Sequence, residues 1–142
     1  MYYILPQLYL SNFVDARSAP SGMFIINCSK DLPMVGPGIR LPVDDDLSKE
    51  AMQTMAQALP KIVNMIESVR ANGQSVLVHC RAGQQRSAAV VTAYLMSQGM
   101  CKQDAIEFVR TKKPDAFLWG VNFDPALENF SQKSRACLSP SF

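Results

Sequence analysis

Apolar positions in this chain change rhythm along its length, with short strand-like runs first and helical spacing afterwards. From Ser48 to about Arg70, Met52, Met55, Ala56, Leu59, Ile62, Val63, Ile66 and Val69 recur at the period of a helix face. Ser48 is a ready N-cap, Asn72-Gly73 a ready stop, and Pro60 predicts a kink or a division between them. Ser75-Val76-Leu77-Val78-His79 is a short continuous apolar run of strand type. A helix is predicted from Ser87 to Gln98, burying Ala88, Val90, Val91 and Leu95 on a wide face, with Gly99 as its stop. Another amphipathic helix covers Asp104 to Thr111 and closes before Pro114. Asp124-Pro125 has the cap-then-proline order of a helix start and carries Leu127 and Phe130 inward. Gly36, Pro37 and Gly38 mark a turn between two strand-like pieces, and the polar tail from Gln132, with Pro140, predicts fraying.

Early single strands followed by a row of helices predict an α/β domain. Its centre is a small, mostly parallel sheet with helices on both faces and a site at the carboxyl end of a central strand. The 142 residues suit one domain, 1–142, with a real core. No apolar run is long enough to span a bilayer, so no membrane is expected. Met1-Tyr2-Tyr3 opens without a basic region or a cleavage pattern, which predicts a protein that is not secreted. A net charge of +2 gives no reason to expect nucleic acid. Eight methionines read as gap-filling packing, and nothing in the pattern specifies an oligomer.

Chemistry concentrates in His79-Cys80-Arg81-Ala82-Gly83-Gln84-Gln85-Arg86-Ser87, between the apolar strand and the helix after it. A loop of small and polar residues around Gly83 can turn successive N–H groups inward as an anion-binding nest, and the helix aims its positive end at the same point. In such a setting a cysteine pKa drops from ~8.5 to roughly 3.5–7.5, making Cys80 a thiolate nucleophile. Arg86 brings a fixed charge and a planar fork that grips two phosphate oxygens. The N–H groups from Arg81 through Ala82, Gly83, Gln84, Gln85 and Arg86 would hold the remaining oxygens, and the Ser87 hydroxyl can donate to the departing sulfur.

These residues fit the Cys-x5-Arg-Ser signature, and the chain resembles the dual-specificity branch of the protein tyrosine phosphatase superfamily, in its compact form without a docking domain. His-Cys-x-x-Gly-x-x-Arg-Ser running into Ala93-Tyr94-Leu95-Met96 carries the likeness. Tyr3 to Leu10 is similar to the family's opening strands, Phe24-Ile25-Ile26-Asn27 to its next buried strand, and Asp104 to Arg110 and Phe123, Leu127 and Phe130 to its later helices. The resemblance implies a protein tyrosine phosphatase-like α/β fold. It also implies hydrolysis of phosphotyrosine and phosphoserine or phosphothreonine in proteins through a phosphocysteine, with no cofactor and no metal. His79, the single histidine, is implied to orient the loop and tune Cys80. Two departures stand out: Gln85 replaces a common serine, and Phe117-Leu118-Trp119-Gly120-Val121-Asn122-Phe123 replaces a Pro-Asn and Gly-Phe pattern.

Such a reaction needs an acid for the leaving oxygen, and Leu41-Pro42-Val43-Asp44-Asp45-Asp46 is the candidate segment. The family pattern Ile-Pro-Ile-x-Asp aligns with Asp45, 35 residues before Cys80. Asp46 and then Asp44 remain alternatives. Like-charge repulsion among the three predicts raised pKa values. Arg81 is expected at the pocket rim. Cys101 and Cys137 suggest no chemistry, while Cys28 follows a strand expected beside the catalytic one and could trap an oxidised Cys80 as a disulfide. A free nucleophilic thiol implies a reducing compartment, cytoplasmic or nuclear. Two further readings stay open, a phosphatase for a phosphoinositide or an RNA 5′ end and a catalytically silent phosphate-binding module. Gln84, Gln85, Ser87 and Ala88 point away from the first, and intact Cys80 and Arg86 away from the second.

Overall fold

The computed structural model describes residues 1–138. Its elements, in chain order, are β1 (Tyr2–Leu5), β2 (Leu8–Ser11), α1 (Phe13–Ala16), β3 (Phe24–Asn27), β4 (Gly38–Arg40), α2 (Lys49–Ala71), β5 (Val76–His79), α3 (Arg86–Ser97), α4 (Lys102–Lys112) and α5 (Asp124–Leu138). Helix α5 continues through Gln132, where fraying was expected. Residues 139–142 and the side chain of Cys137 lie outside the described residues.

Five strands form one sheet in the order β1-β2-β5-β3-β4, antiparallel only between β1 and β2. β5 is central because it is apolar on both sides: Val76, Leu77 and Val78 are wholly buried. Its register pairs His79 with Ser11 on one neighbour and with Asn27 on the other. Three buried polar residues thus sit in a row at the carboxyl end of the parallel strands. Asn27 uses its side chain to shape the following loop, donating to the Leu32 carbonyl at 2.9 Å and accepting from Ser29 Oγ at 2.6 Å.

Both faces are covered, but unequally. Leu8, Leu10, Ile26, Val76 and Val78 meet the main core with α2, α3, α4 and α5. Ile25 and Leu77 pack on the other face against Ala16 of the four-residue α1 and Met23. Each large apolar side chain buried this way contributes about 1.5–3 kcal/mol.

Helix α2 starts where Ser48 Oγ accepts from the Ala51 N–H at 3.1 Å. It runs unbroken through Pro60, so the expected division does not occur. Pro60 sits on a partly exposed face while Leu59, Ile62 and Val63 hold the buried side. Helix α3 also differs from its expected one-sided burial: every residue from Arg86 to Met96 is buried. Alanines, Ser87 and Thr92 keep it slim, so α2, α4, α5 and β5 all pack against it. Tyr94 is the polar exception that needs partners, and it bonds Glu67 at 2.8 Å and Arg70 at 2.6 Å on α2.

Candidate active site

Strand β5 ends at His79 and α3 begins at Arg86, leaving residues 80–85 as the loop between them. Two polar groups converge on the Cys80 sulfur: the Gly83 N–H, which donates to it at 3.3 Å, and Ser87 Oγ, in hydrogen-bond contact at 3.1 Å. Cys80 is buried, so these contacts replace water around the sulfur. Closing the loop this tightly requires glycine at position 83. Its φ is +71°, and a Cβ there would lie 2.7 Å from the Ser11 carbonyl oxygen. The loop is also braced from outside, by the Phe13 N–H on the Arg81 carbonyl at 3.0 Å and the Phe117 N–H on the Gln84 carbonyl at 2.9 Å.

Arg86 is buried at the first turn of α3. One of its nitrogens, Nη1, donates to the Val43 carbonyl at 3.2 Å, while its buried Nε has no partner among the described residues. A buried guanidinium donor without a protein acceptor is suited to an oxyanion. Since Val43 lies two residues before Asp45, the same contact couples the arginine to the aspartate segment.

The three aspartates have three different settings. Asp44 pairs with Lys30 at 2.8 Å on the surface. Asp46 braces Ser48, the cap of α2, accepting from the Ser48 N–H at 3.0 Å and Ser48 Oγ at 2.5 Å. Those bonds hold the Asp46 carboxyl below its usual range, which corrects the expectation that crowding raises it. Asp45 is exposed, and its side chain makes no hydrogen bond or ion pair among the described residues. It is the carboxylate of the three left uncommitted, though the structure does not bring it into contact with Cys80.

His79 sits under the loop, wholly buried, with Nδ1 donating to the Cys80 carbonyl at 3.3 Å. Burial holds its pKa below the ordinary value, with the Cys80 carbonyl contact opposing and Arg40 adding to the effect. The ring is neutral at pH 7, and its proton is on Nδ1 because a carbonyl can only accept. Arg81 faces outward to Asp31 at 3.4 Å, at the rim. The N–H of Cys28 bonds the His79 carbonyl at 2.8 Å, which places it beside the catalytic strand. Burial, and then the neighbouring Cys80, push the Cys28 thiol well up, with Arg86 pulling it partly down. A thiol held protonated is a weak trap for oxidised sulfur at neutral pH.

The two unusual glutamines act as connectors. Gln84 Nε2 reaches Asp115 at 3.2 Å. Gln85, at the N-cap position, leaves the helix end uncapped and spans the 117–123 segment instead. It donates from Nε2 to the Gly120 carbonyl at 2.7 Å and accepts on Oε1 from the Asn122 N–H at 3.0 Å. Behind the loop, the buried Lys113 Nζ holds Asp115 at 2.5 Å and reaches the Ala82 carbonyl at 3.5 Å. Burial pulls the Asp115 carboxyl up, but Lys113 and Gln84 outweigh it and hold the group below its usual range. Lys113, Asp115 and Phe13 escaped sequence reasoning. Their only signal was Lys113 standing just before a proline at the end of a predicted helix.

The family described as dual specificity phosphatase, catalytic domain, matches residues 8–133. Drosophila melanogaster dual specificity protein phosphatase Mpk3 is 36% identical over 124 residues, covering 82% of this chain and 28% of its own length. A protein of Invertebrate iridescent virus 6, 123R, which carries a tyrosine phosphatase name, is 36% identical over 118 residues and 80% covered on each side. Among solved structures, human DUSP28 superposes with a TM-score of 0.77 at 26% identity, covering 100% of both chains. This chain therefore spans under a third of the Drosophila relative and most of the viral one. With its cysteine loop, arginine and sheet order in place, the chain belongs to the family of dual specificity phosphatase catalytic domains.

Proposed function

We propose that this protein hydrolyses phosphate monoesters on phosphorylated proteins, at tyrosine and at serine or threonine, through a phosphocysteine intermediate. The observation that carries the reading is the Gly83 N–H and the Ser87 hydroxyl meeting Cys80 Sγ, with the buried Arg86 at the end of the same loop. The Cys80 thiolate attacks phosphorus, forming an S–P bond as the P–O bond to the substrate side chain breaks. Asp45 gives its proton to that leaving oxygen. Arg86 and the N–H groups of residues 81–86 balance the charge on the three equatorial oxygens. Asp45, now a carboxylate, takes a proton from a water that attacks phosphorus. The S–P bond then breaks and the Ser87 hydroxyl donates to the returning thiolate. His79 holds the loop that presents the sulfur.

Because the thiol must stay free, the protein works in a reducing compartment, the cytoplasm or nucleus. Among the described residues no helix is long and apolar enough to cross a membrane.

The test is phosphate release from a series of aryl phosphates of rising leaving-group pKa, and then from phosphopeptides. Cys80→Ser loses turnover while keeping the folded circular-dichroism spectrum. Asp45→Ala loses most on the poorest leaving groups, and Asp46→Ala does not. Full turnover in Cys80→Ser would remove the mechanism, and leaving-group dependence in Asp46→Ala alone would move the acid by one residue.

A further inference from the structure

Among the described residues, four large apolar side chains are more than half exposed: Val14 at 60%, Leu47 at 74%, Leu118 at 53% and Trp119 at 88%. Val14 follows Phe13, whose N–H bonds the Arg81 carbonyl. Leu47 follows the aspartate segment that Arg86 reaches through Val43. Leu118 follows Phe117, which bonds Gln84, and Trp119 precedes Gly120, which bonds Gln85. Each adjoins a segment tied to the catalytic loop, and no other large apolar side chain among the described residues is as exposed as these.

Leu118 and Trp119 also lie on a turn that is bonded on both sides of them. Phe117 is buried with φ at +56°, a strained setting for a side chain of its size. Its carbonyl accepts from the Gly120 N–H at 3.1 Å and from Arg110 Nη2 at 3.3 Å. Gln85 closes the turn on Gly120 and Asn122. The chain thus anchors one aromatic ring inward and presents the next two side chains to solvent on a fixed turn. An exposed apolar feature beside a site marks a contact surface, and a turn whose backbone is already bonded in place has less freedom to lose on binding.

We propose that Trp119, with Leu118, receives an apolar side chain flanking the phosphorylated residue of a polypeptide substrate. This rests on the catalytic reading above and adds a specificity-determining contact to it. A polypeptide fits better than an anionic membrane, because the catalytic reading supplies a phosphorylated protein as substrate and because Asp45 and Asp46, which make no ion pair among the described residues, stand directly before Leu47. Their charge repels an acidic lipid surface and leaves an uncharged flanking side chain unaffected.

The test uses phosphotyrosine peptides that differ only in the residues on either side of the phosphotyrosine: phenylalanine, leucine, serine or glycine. Each kcat/KM is divided by that on p-nitrophenyl phosphate, which has no flanking residue, so a general loss cancels. The wild type favours phenylalanine over glycine by about tenfold, the weight of one seated aromatic contact. Trp119→Ala and Leu118→Ser flatten the preference, and Trp119→Phe keeps most of it. Trp119 is the single tryptophan, so its emission reports contact directly. Phenylalanine peptides shift it to the blue on binding Cys80→Ser, and glycine peptides do not.

Equal ratios across the wild-type series would overturn the proposal, as would a preference that survives Trp119→Ala. So would Trp119-dependent sedimentation with phosphatidylserine vesicles while the peptide ratios stay flat. If the wild type fails to cleave p-nitrophenyl phosphate, the catalytic reading falls, and the emission shift in Cys80→Ser still decides the role of Trp119.

Discussion

Replacing Gln85 with alanine removes one side chain and two bonds, and both bonds end on the backbone of the 117–123 segment. Gln85 is buried, so its amide has no cheap substitute in solvent. A neutral intramolecular hydrogen bond contributes about 1 kcal/mol net, so the pair is worth about 2 kcal/mol. For a chain of this size each kcal/mol moves the melting point by about 3 °C, which predicts a drop of about 6 °C. Gln85→Glu sharpens the test. It keeps an acceptor for the Asn122 N–H but sets a carboxylate oxygen where Nε2 now meets the Gly120 carbonyl at 2.7 Å. It therefore falls at least as far as alanine, although it is closer in shape. Scanning calorimetry measures both drops. Hydrogen exchange adds the local view, because amides from Gly120 to Asn122 should open more readily in the alanine variant while those of β5 keep their protection. If Gln85→Ala melts within a degree of the wild type and its 120–122 amides exchange unchanged, the two bonds carry no weight and the clamp does not hold that segment.

Three further outcomes follow from the same structure. Gly83→Ala loses stability and phosphatase turnover together, since φ is +71° and the new Cβ would press to 2.7 Å on the Ser11 carbonyl; a fully active, equally stable variant would refute the close approach. Iodoacetamide at pH 7, followed by peptide mass spectrometry, modifies the exposed Cys101 and spares Cys28, whose thiol burial and Cys80 hold protonated; equal labelling of the two would contradict this. Acid lowers stability through His79: its folded pKa is depressed, so the unfolded chain takes up the proton first, and the stabilisation present above about pH 6.5 is lost below it. Melting temperatures between pH 7 and 5 should fall less steeply in His79→Asn than in the wild type, and identical slopes would count against a buried neutral ring.

The catalytic loop was legible because its chemistry is local. Cysteine, glycine and arginine at fixed spacing between an apolar strand and a helix leave few alternatives, and residues 80–87 meet within that stretch. What lay hidden depends on partners far along the chain. Asp44 and Asp46 read as mutual repulsion because their partners, Lys30 and the Ser48 cap, take no part in a pattern of adjacent carboxylates. The 117–123 segment has no periodicity to read, and its position comes from glutamines more than thirty residues earlier. Lys113 was invisible for a simpler reason: a lysine is expected in water, and this one is buried against Asp115 and the ring of Tyr2, 5.3 Å away. Helix α3 misled by its composition. Ala88, Val90, Val91 and Leu95 suggested a wide inward face, whereas the helix's small residues allow contact on every side from Arg86 to Met96.

The enclosure of α3 from Arg86 to Met96 limits how a domain built this way can diversify. Arg86 and Ser87 belong to a helix whose neighbours press from all directions, so a bulkier or smaller residue anywhere along it displaces the reacting groups. Changes of taste that spare the chemistry must then fall elsewhere, in the aspartate segment and in the turn that carries Trp119. Related enzymes selected for different targets should accordingly differ most in those two stretches and least along the helix between them.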